Sequence, residues 1–378
     1  MTGSIKRQGK NSWRVTVELG TNGEGKRLRR YSTIRGSKKD AQDKLNELIG
    51  NANKGMITSS GKTTLAEHLR NWLNLYVKVN CAPRTIESYE STIERHLIPG
   101  LGHYRLRELH REAIEGYYAK ARENLSSRSV HYHHRILKHA LKDAVKKGYL
   151  GRNPCDLVDR LKYTKKEMRT LEPSEVNTLL IASLTSQFYP VIYCALNTGL
   201  RQAELLGLRW RDIDLERKSI SVCRALYKRQ GKCEFREPKT KHSKRSIPMT
   251  QNLAAYLREY RGGRESLSLH LGRLVKLDDL VFSNAEGEAL DPSVLSHTFQ
   301  RIVKKAGLEN VRFHDLRHTF ASLMLSHHAA PKVISEILGH ASVAFTMDTY
   351  SHIIPGMKEE AMALLDEVLP PGVSVKND

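Results

Sequence analysis

The spacing of apolar residues changes period along the chain, and each change marks a different kind of element. Residues 4–19 alternate, with Trp13, Val15, Val17 and Leu19 on one side, which predicts two strands around a turn at Gly9-Lys10-Asn11. After a Gly-rich turn at residues 20–25 a third strand, KRLRRYSTI, carries Arg27, Arg29 and Tyr31 on one face. The period then lengthens, and Ser37 is placed to cap a helix over residues 38–55. Residues 55–63 read as a polar linker. Four helical stretches follow. Leu65, Leu69, Trp72, Leu73 and Tyr76 form the stripe of the first; Pro83-Arg84-Thr85 opens the second and Leu101-Gly102 breaks it; the others cover residues 111–125 and 126–150, with Pro154 closing the unit.

Residues 162–169 read as a second linker, and Pro173-Ser174-Glu175 starts a helix with Val176, Leu179 and Leu180 as its stripe. Residues 219–249 return to a strand pattern. Ile220 and Val222 alternate in one strand, a second covers about residues 224–228, and a turn at 237–241 leads into Ser246-Ile247-Pro248, where proline suits a strand end. Helices are predicted at 252–260 and 292–306, with 267–280 as an irregular surface loop. Near the C-terminus Phe320, Leu323 and Met324 mark a core-facing stripe, Gly339 ends a helix over 334–338, and Thr346–Tyr350 is a short helical segment. Residues 358–369, KEEAMALLDEVL, form an amphipathic helix with Ala361, Leu364, Leu365 and Val368 apolar. The fold class is α+β and multidomain, divided at 1–58, 62–160 and 168–378.

Charge sharpens this picture. The 378 residues carry a formal net charge of +21, which points to a polyanionic partner. Residues 1–60 hold 13 Lys/Arg against 5 Asp/Glu, and residues 61–170 hold 22 against 12. The rest is nearly balanced, so basic arms precede a neutral body, as suits DNA. The sheet offers Lys6, Arg7, Arg14, Arg27, Arg29 and Arg30, and a ribbon of strands can enter a major groove. His131, His133, His134 and His139 lie on a basic helix without carboxylates, which favours phosphate contact or plain surface over a metal site. The five cysteines are odd in number and lack metal spacing, and no apolar signal or membrane-length run occurs. These features imply a reduced, cytoplasmic protein.

The chemistry gathers in RFHDLRHTFASLMLSHHAAPKVISEILGHASVAFTMDTYSH, residues 312–352. His314 and Arg317 stand at i and i+3 and share a helix face. Leu338-Gly339-His340 forms a turn ten residues before Tyr350. Arginine binds phosphate oxygens bidentately, histidine moves protons near neutrality, and tyrosine becomes a nucleophile once a base and cations assist it. Upstream, T-G-x-R-x-x-E-L places Arg201 and Glu204 one helical turn apart, able to pair. A lysine-rich turn, K-T-K-x-S-x-R-x-I-P, carries Lys239 and Lys241 before Arg245.

Arg, then Lys, then H-x-x-R, then L-G-H, then Tyr resembles the order of tyrosine recombinases, the integrase family of phages and mobile elements. The resemblance covers nearly the whole chain, and it implies an arm-binding domain of three strands and a helix, a core-binding four-helix bundle, and a mainly α catalytic domain with a small three-stranded sheet. The resemblance puts an active-site lysine on a turn like the one before Arg245, which implies Lys239, with Lys241 as the alternative. It implies that Arg201 and Arg317 clamp the scissile phosphate, Tyr350 attacks it to leave a 3′-phosphotyrosine, and Lys239 protonates the leaving 5′ oxygen. His314 then assists proton removal from Tyr350, His340 hydrogen-bonds the phosphate, and Glu204 supports. His318 is the less favoured histidine, since it points about 100° from Arg317 on the helix. The linkage conserves the phosphodiester energy, so neither cofactor nor metal is needed. Implied partners are double-stranded DNA at core-type and arm-type attachment sites, a homotetramer around a Holliday junction, an excisionase and a host DNA-bending protein, with no membrane. The alternatives are a type IB topoisomerase with the same residues, or a non-catalytic DNA-binding protein.

Overall fold

The computed structural model describes residues 2–21, 27–53, 63–159, 168–229, 231–237, 244–340 and 342–350. It forms two compact units, Met1–Lys165 and Lys166–Asp378. Among the described residues no helix is long and apolar enough to cross a membrane. The linker at 55–63 lies almost wholly outside the described residues, as do most of the linker at 162–169 and the whole of 358–369.

The N-terminal element is an antiparallel sheet, β1 (Gly3–Gly9), β2 (Ser12–Thr21) and β3 (Arg27–Arg35), with α1 (Lys38–Asn53) against it. Val15 and Val17 are buried with Ala41, Leu45 and Leu48 of α1, which fixes the inner face. Ser37 and Asp40 cap α1 reciprocally, at 3.2 and 2.8 Å. The pairing divides the expected basic face. Lys6 lies opposite Arg14, and Tyr31 and Arg29 opposite Thr16 and Glu18, all alternating with the buried valines. Arg7 instead pairs with Trp13, its guanidinium 5.8 Å from the indole centroid, and Arg30 stands in register with Val17.

The helical bundle begins at Thr64, whose hydroxyl accepts the Glu67 N–H while Glu67 accepts the Thr64 N–H. Helix α2 (Leu65–Trp72) runs on through a π-helical turn, Leu73–Val77. That extra residue rotates the stripe, so Val77 is fully buried while Tyr76, expected inward, is 38% exposed and stacks on Trp72. Helix α3 (Pro83–Thr92) runs on through a second such turn, Ile93–Leu97, and α4 (Arg111–Arg122) and α5 (Ser127–Lys146) complete the bundle. Two of the four histidines expected on the surface of α5 are core residues. His133 and His134 are buried, each with Nδ1 2.9 Å from a phenol oxygen, of Tyr117 and Tyr118. They lie on the same helix face as Leu137 and Ala140, so burial overrides their polarity, and the phenols satisfy them.

The second unit starts with α6 (Pro173–Ser183), α7 (Tyr189–Thr198) and the short α8 (Gln202–Leu205). Strands β4 (Ile213–Asp214), β5 (Ser219–Val222) and β8 (Arg245–Pro248) form an antiparallel sheet with β5 central. Among the described residues between them, β6 (Ala225–Arg229) and β7 (Lys232–Arg236) pair with each other as a hairpin. The expected sheet of 219–249 therefore differs: its second strand turns away, and β4 takes the open edge of β5. Helix α9 (Gln251–His270) runs well beyond residue 260, correcting the loop expected from 267. Gly262 and Gly263 weaken the helix locally but both face solvent, and Arg261 and Glu265 pair across one turn over them at 2.9 Å. Helices α10 (Pro292–Lys305), α11 (Asp315–Ser326), α12 (Pro331–Leu338) and α13 (Val343–Tyr350) complete the unit. Ile220, Ile247, Leu253, Phe282, Phe299 and Leu316 are central to its core.

Candidate active site

The last carbonyls of a helix have no partner within it and carry the negative end of its dipole. At the end of α12 three arginines supply the partners. Arg245 donates from Nε to Ile337 at 2.6 Å, Arg317 from Nη2 to Leu338 at 2.7 Å, and Arg201 from Nη2 to Gly339 at 3.4 Å. Gly339 adopts φ 65°, which turns the chain so that these carbonyls diverge toward three donors. Arg317 also donates from Nη1 to Gly199 at 2.9 Å. Gly199, which ends α7 at φ 62°, is the only residue type that fits: a Cβ there would lie 2.5 Å from the Phe320 ring and 2.6 Å from Leu338.

Glu204 binds two of these cations. One carboxylate oxygen accepts from Arg201 Nη1 at 2.7 Å, and the other from Arg245 Nη2 at 2.9 Å and from the Arg201 N–H at 3.1 Å. Burial opposes its ionisation, but the contacts with Arg245 and Arg201 outweigh that and hold its pKa below the usual carboxylate range. Arg317 is almost fully buried; burial and the charge of Arg201 lower its pKa to about 9, which leaves it a cation at neutrality. Arg201 is the exposed member, with 40% of its side chain accessible.

His340 follows Gly339, with Nδ1 2.8 Å from Thr346 Oγ1 on α13. Burial, then Arg317 and Arg201, lower its pKa to about 4, so its imidazole is neutral near pH 7. Tyr350 ends α13 fully buried among Phe320, Leu325, Ile334 and Leu338. Its oxygen lies 2.7 Å from Nδ1 of His318, and burial raises its pKa to about 12 despite the opposing charge of Arg317. His314 precedes α11 and meets His318 edge-to-face at 5.0 Å; burial and Arg317 lower its pKa. Asp315 anchors the start of α11 by accepting from the Arg312 N–H at 2.7 Å and from its guanidinium at 2.8 Å.

Arg201, Arg317 and His340 thus meet at the end of α12, and Tyr350 and His314 both reach them through His318 or the field of Arg317. His318, whose direction along the helix disfavours it, is the histidine that touches the phenol; His314 does not. His318 stands one residue past Arg317 on α11, and Tyr350 packs with Phe320, Ala321 and Leu325 of the same helix. Arg245 was only a landmark for locating Lys239; its place in the motif was the available signal for a third arginine. Lys239 and Lys241 fall in 238–243, outside the described residues, between β7 and β8. Among the described residues no three His, Cys, Asp or Glu side chains gather as a metal would require.

Residues 169–355 match the phage integrase family, and residues 64–142 match the N-terminal SAM-like domain of phage integrases. The chain is 30% identical to a XerC-like tyrosine recombinase of Caldanaerobacter subterraneus across 96% of its own length and 97% of the relative's. It is 31% identical to the ICEBs1 integrase of Bacillus subtilis across 69% and 71%. Among solved structures it is similar to the Tn1549 transposon integrase in complex with a circular intermediate DNA, with a TM-score of 0.70 and 22% identity, covering 82% of this chain and 100% of that one. It is also similar to a lambda integrase dimer bound to a core site, with a TM-score of 0.60 and 16% identity, covering 91% and 93%. These two likenesses establish the fold, and the sequence match along nearly two whole chains establishes the rest: the protein belongs to the tyrosine recombinase family, the site-specific integrases of phages and mobile elements that break and rejoin DNA.

Proposed function

We propose that Tyr350 is the nucleophile and that Arg201 and Arg317 hold the scissile phosphate while it attacks. The observation that carries this reading is the convergence of Arg201, Arg317 and Arg245 on the C-terminal carbonyls of α12, next to His340. Backbone contacts preorganise the guanidiniums, so charge that develops on the pentavalent phosphorane meets fixed donors. Arg245 and Glu204 orient Arg201 and leave its exposed edge for the phosphate. His314 and His340, both favouring the neutral form, hydrogen-bond phosphate oxygens. Lys239 protonates the departing 5′ oxygen, and the resulting 3′-phosphotyrosine keeps the energy of the bond for rejoining.

Residues 1–58 act as the arm-type DNA-binding domain, 62–160 as the core-binding domain and 168–378 as the catalytic domain. Relatives support this reading: lambda integrase was solved as a tetramer bound to a Holliday junction, and the Tn1549 integrase in complex with a circular intermediate DNA. By the same reading the chain assembles as a homotetramer on attachment-site DNA in the bacterial cytoplasm, with excisionase and a DNA-bending protein setting direction. Tyr350→Phe tests the core of it. The variant is expected to bind a crossover-site duplex yet form no denaturation-resistant DNA adduct; an adduct in that variant rules out Tyr350.

A further inference from the structure

We propose that His318 takes the proton from the Tyr350 hydroxyl as the phenol attacks DNA. The proposal rests on Tyr350 being the nucleophile and gives the base to a residue outside the family motif. The contact is direct: His318 Nδ1 and the phenol oxygen are 2.7 Å apart, with the rings 5.7 Å centroid to centroid. Tyr350 is fully buried, and among the described residues His318 is the side chain that hydrogen-bonds its hydroxyl. For this transfer the O–H is the donor and Nδ1 the acceptor, with the ring proton of His318 on Nε2.

The surroundings keep His318 neutral until it is needed. Burial first, then the charges of His314, Arg317 and Arg312, lower its pKa, and His340 lies within its electrostatic reach from the end of α12. Asp315 is the one opposing charge among them and favours the imidazolium once formed. His314 cannot do the same work here, because its ring meets the imidazole of His318 rather than the phenol.

The step balances. The Tyr350 oxygen forms the bond to phosphorus as its proton passes to His318 Nδ1, and the phosphorus–O5′ bond breaks as Lys239 supplies a proton to O5′. In rejoining, the 5′-hydroxyl returns its proton to the Lys239 amine while His318 returns one to the departing phenolate. The imidazolium formed in the first half is therefore the acid of the second.

The test uses the full chain with a nicked duplex carrying the direct repeat that bounds the encoding element, and a second duplex with sulfur in place of the bridging 5′ oxygen. His318→Asn places an amide oxygen near Nδ1, which keeps a hydrogen bond but accepts no proton; His318→Leu removes both. Gel shift and thermal melting establish that each variant folds and binds. Both are expected to form adduct about a hundredfold more slowly. The rate of His318→Asn should climb with pH toward the phenol pKa where wild type levels off. The sulfur substrate, whose leaving group needs no proton, should rescue Lys239→Ala but not His318→Asn. A folded, binding His318→Asn with wild-type rate and pH profile, or rescue of it by the sulfur substrate, overturns the proposal. An adduct formed by Tyr350→Phe would instead overturn the reading beneath it.

Discussion

Glu204 is the residue on which the arginine cluster depends, because it is the anion shared by Arg201 and Arg245. Arg245 and Glu204 are each 7% exposed at the side chain, so the ion pair stands in a low-dielectric setting where losing one partner strands the other. Glu204→Gln keeps the shape and removes the charge. It is expected to destabilise the second unit by about 3 kcal/mol, read as a lower urea midpoint, and to slow adduct formation as Arg201 loses its orientation. An unchanged midpoint would mean that the carbonyls of α12 hold the cluster alone. Gly199→Ala tests the other anchor. Its φ and the approach of Phe320 and Leu338 both exclude a Cβ, so a loss of about 2 kcal/mol or more is expected in the same measurement.

The elements show how far periodicity reaches. Gly339 as a stop, Ser37 as a cap, and the apolar stripes of α2, α6 and α11 are legible because each depends on residues within one or two turns. The partners of α12's carbonyls are not, since Arg201 and Arg245 stand 138 and 92 residues from the groups they bind. For the same reason helical direction alone ranked His318 below His314: the ranking assumed where Tyr350 arrives, and only the path of α13 decides that. The π turn in α2 was invisible because a one-residue rephasing leaves Leu, Tyr and Val all plausible as core. It has a measurable consequence. Val77→Ala should cost about 2 kcal/mol, whereas Tyr76→Ala, on the partly exposed side, should cost less than half of that. A regular helix would reverse the order.

Across the molecule, charge and buried histidine make stability depend on acid more steeply than the surface alone would suggest. His133 in the first unit and His318 and His340 in the second have pKa values lowered to about 4, burial being the first cause in each. In the unfolded chain such groups titrate near 6.5. The folded state therefore binds fewer protons than the unfolded state between those values. Each group's contribution is complete above about pH 6.5 and is lost as pH falls toward 4. The ceiling is about 3 kcal/mol per histidine, reached most nearly by His133, which is 4% exposed, and less by the half-buried His318 and His340. Both units carry such a group, so both should soften over one pH window. Melting temperature is expected to stay level from pH 8 to about 6.5 and then to drop. His133→Gln, whose amide can still meet the Tyr117 hydroxyl, should lessen the drop for the first unit while leaving the second unit's intact. Calorimetry of the full chain across that range decides the matter: a flat profile, or one that His133→Gln leaves unaltered in every transition, would show that these imidazoles accept protons in place without opening the core.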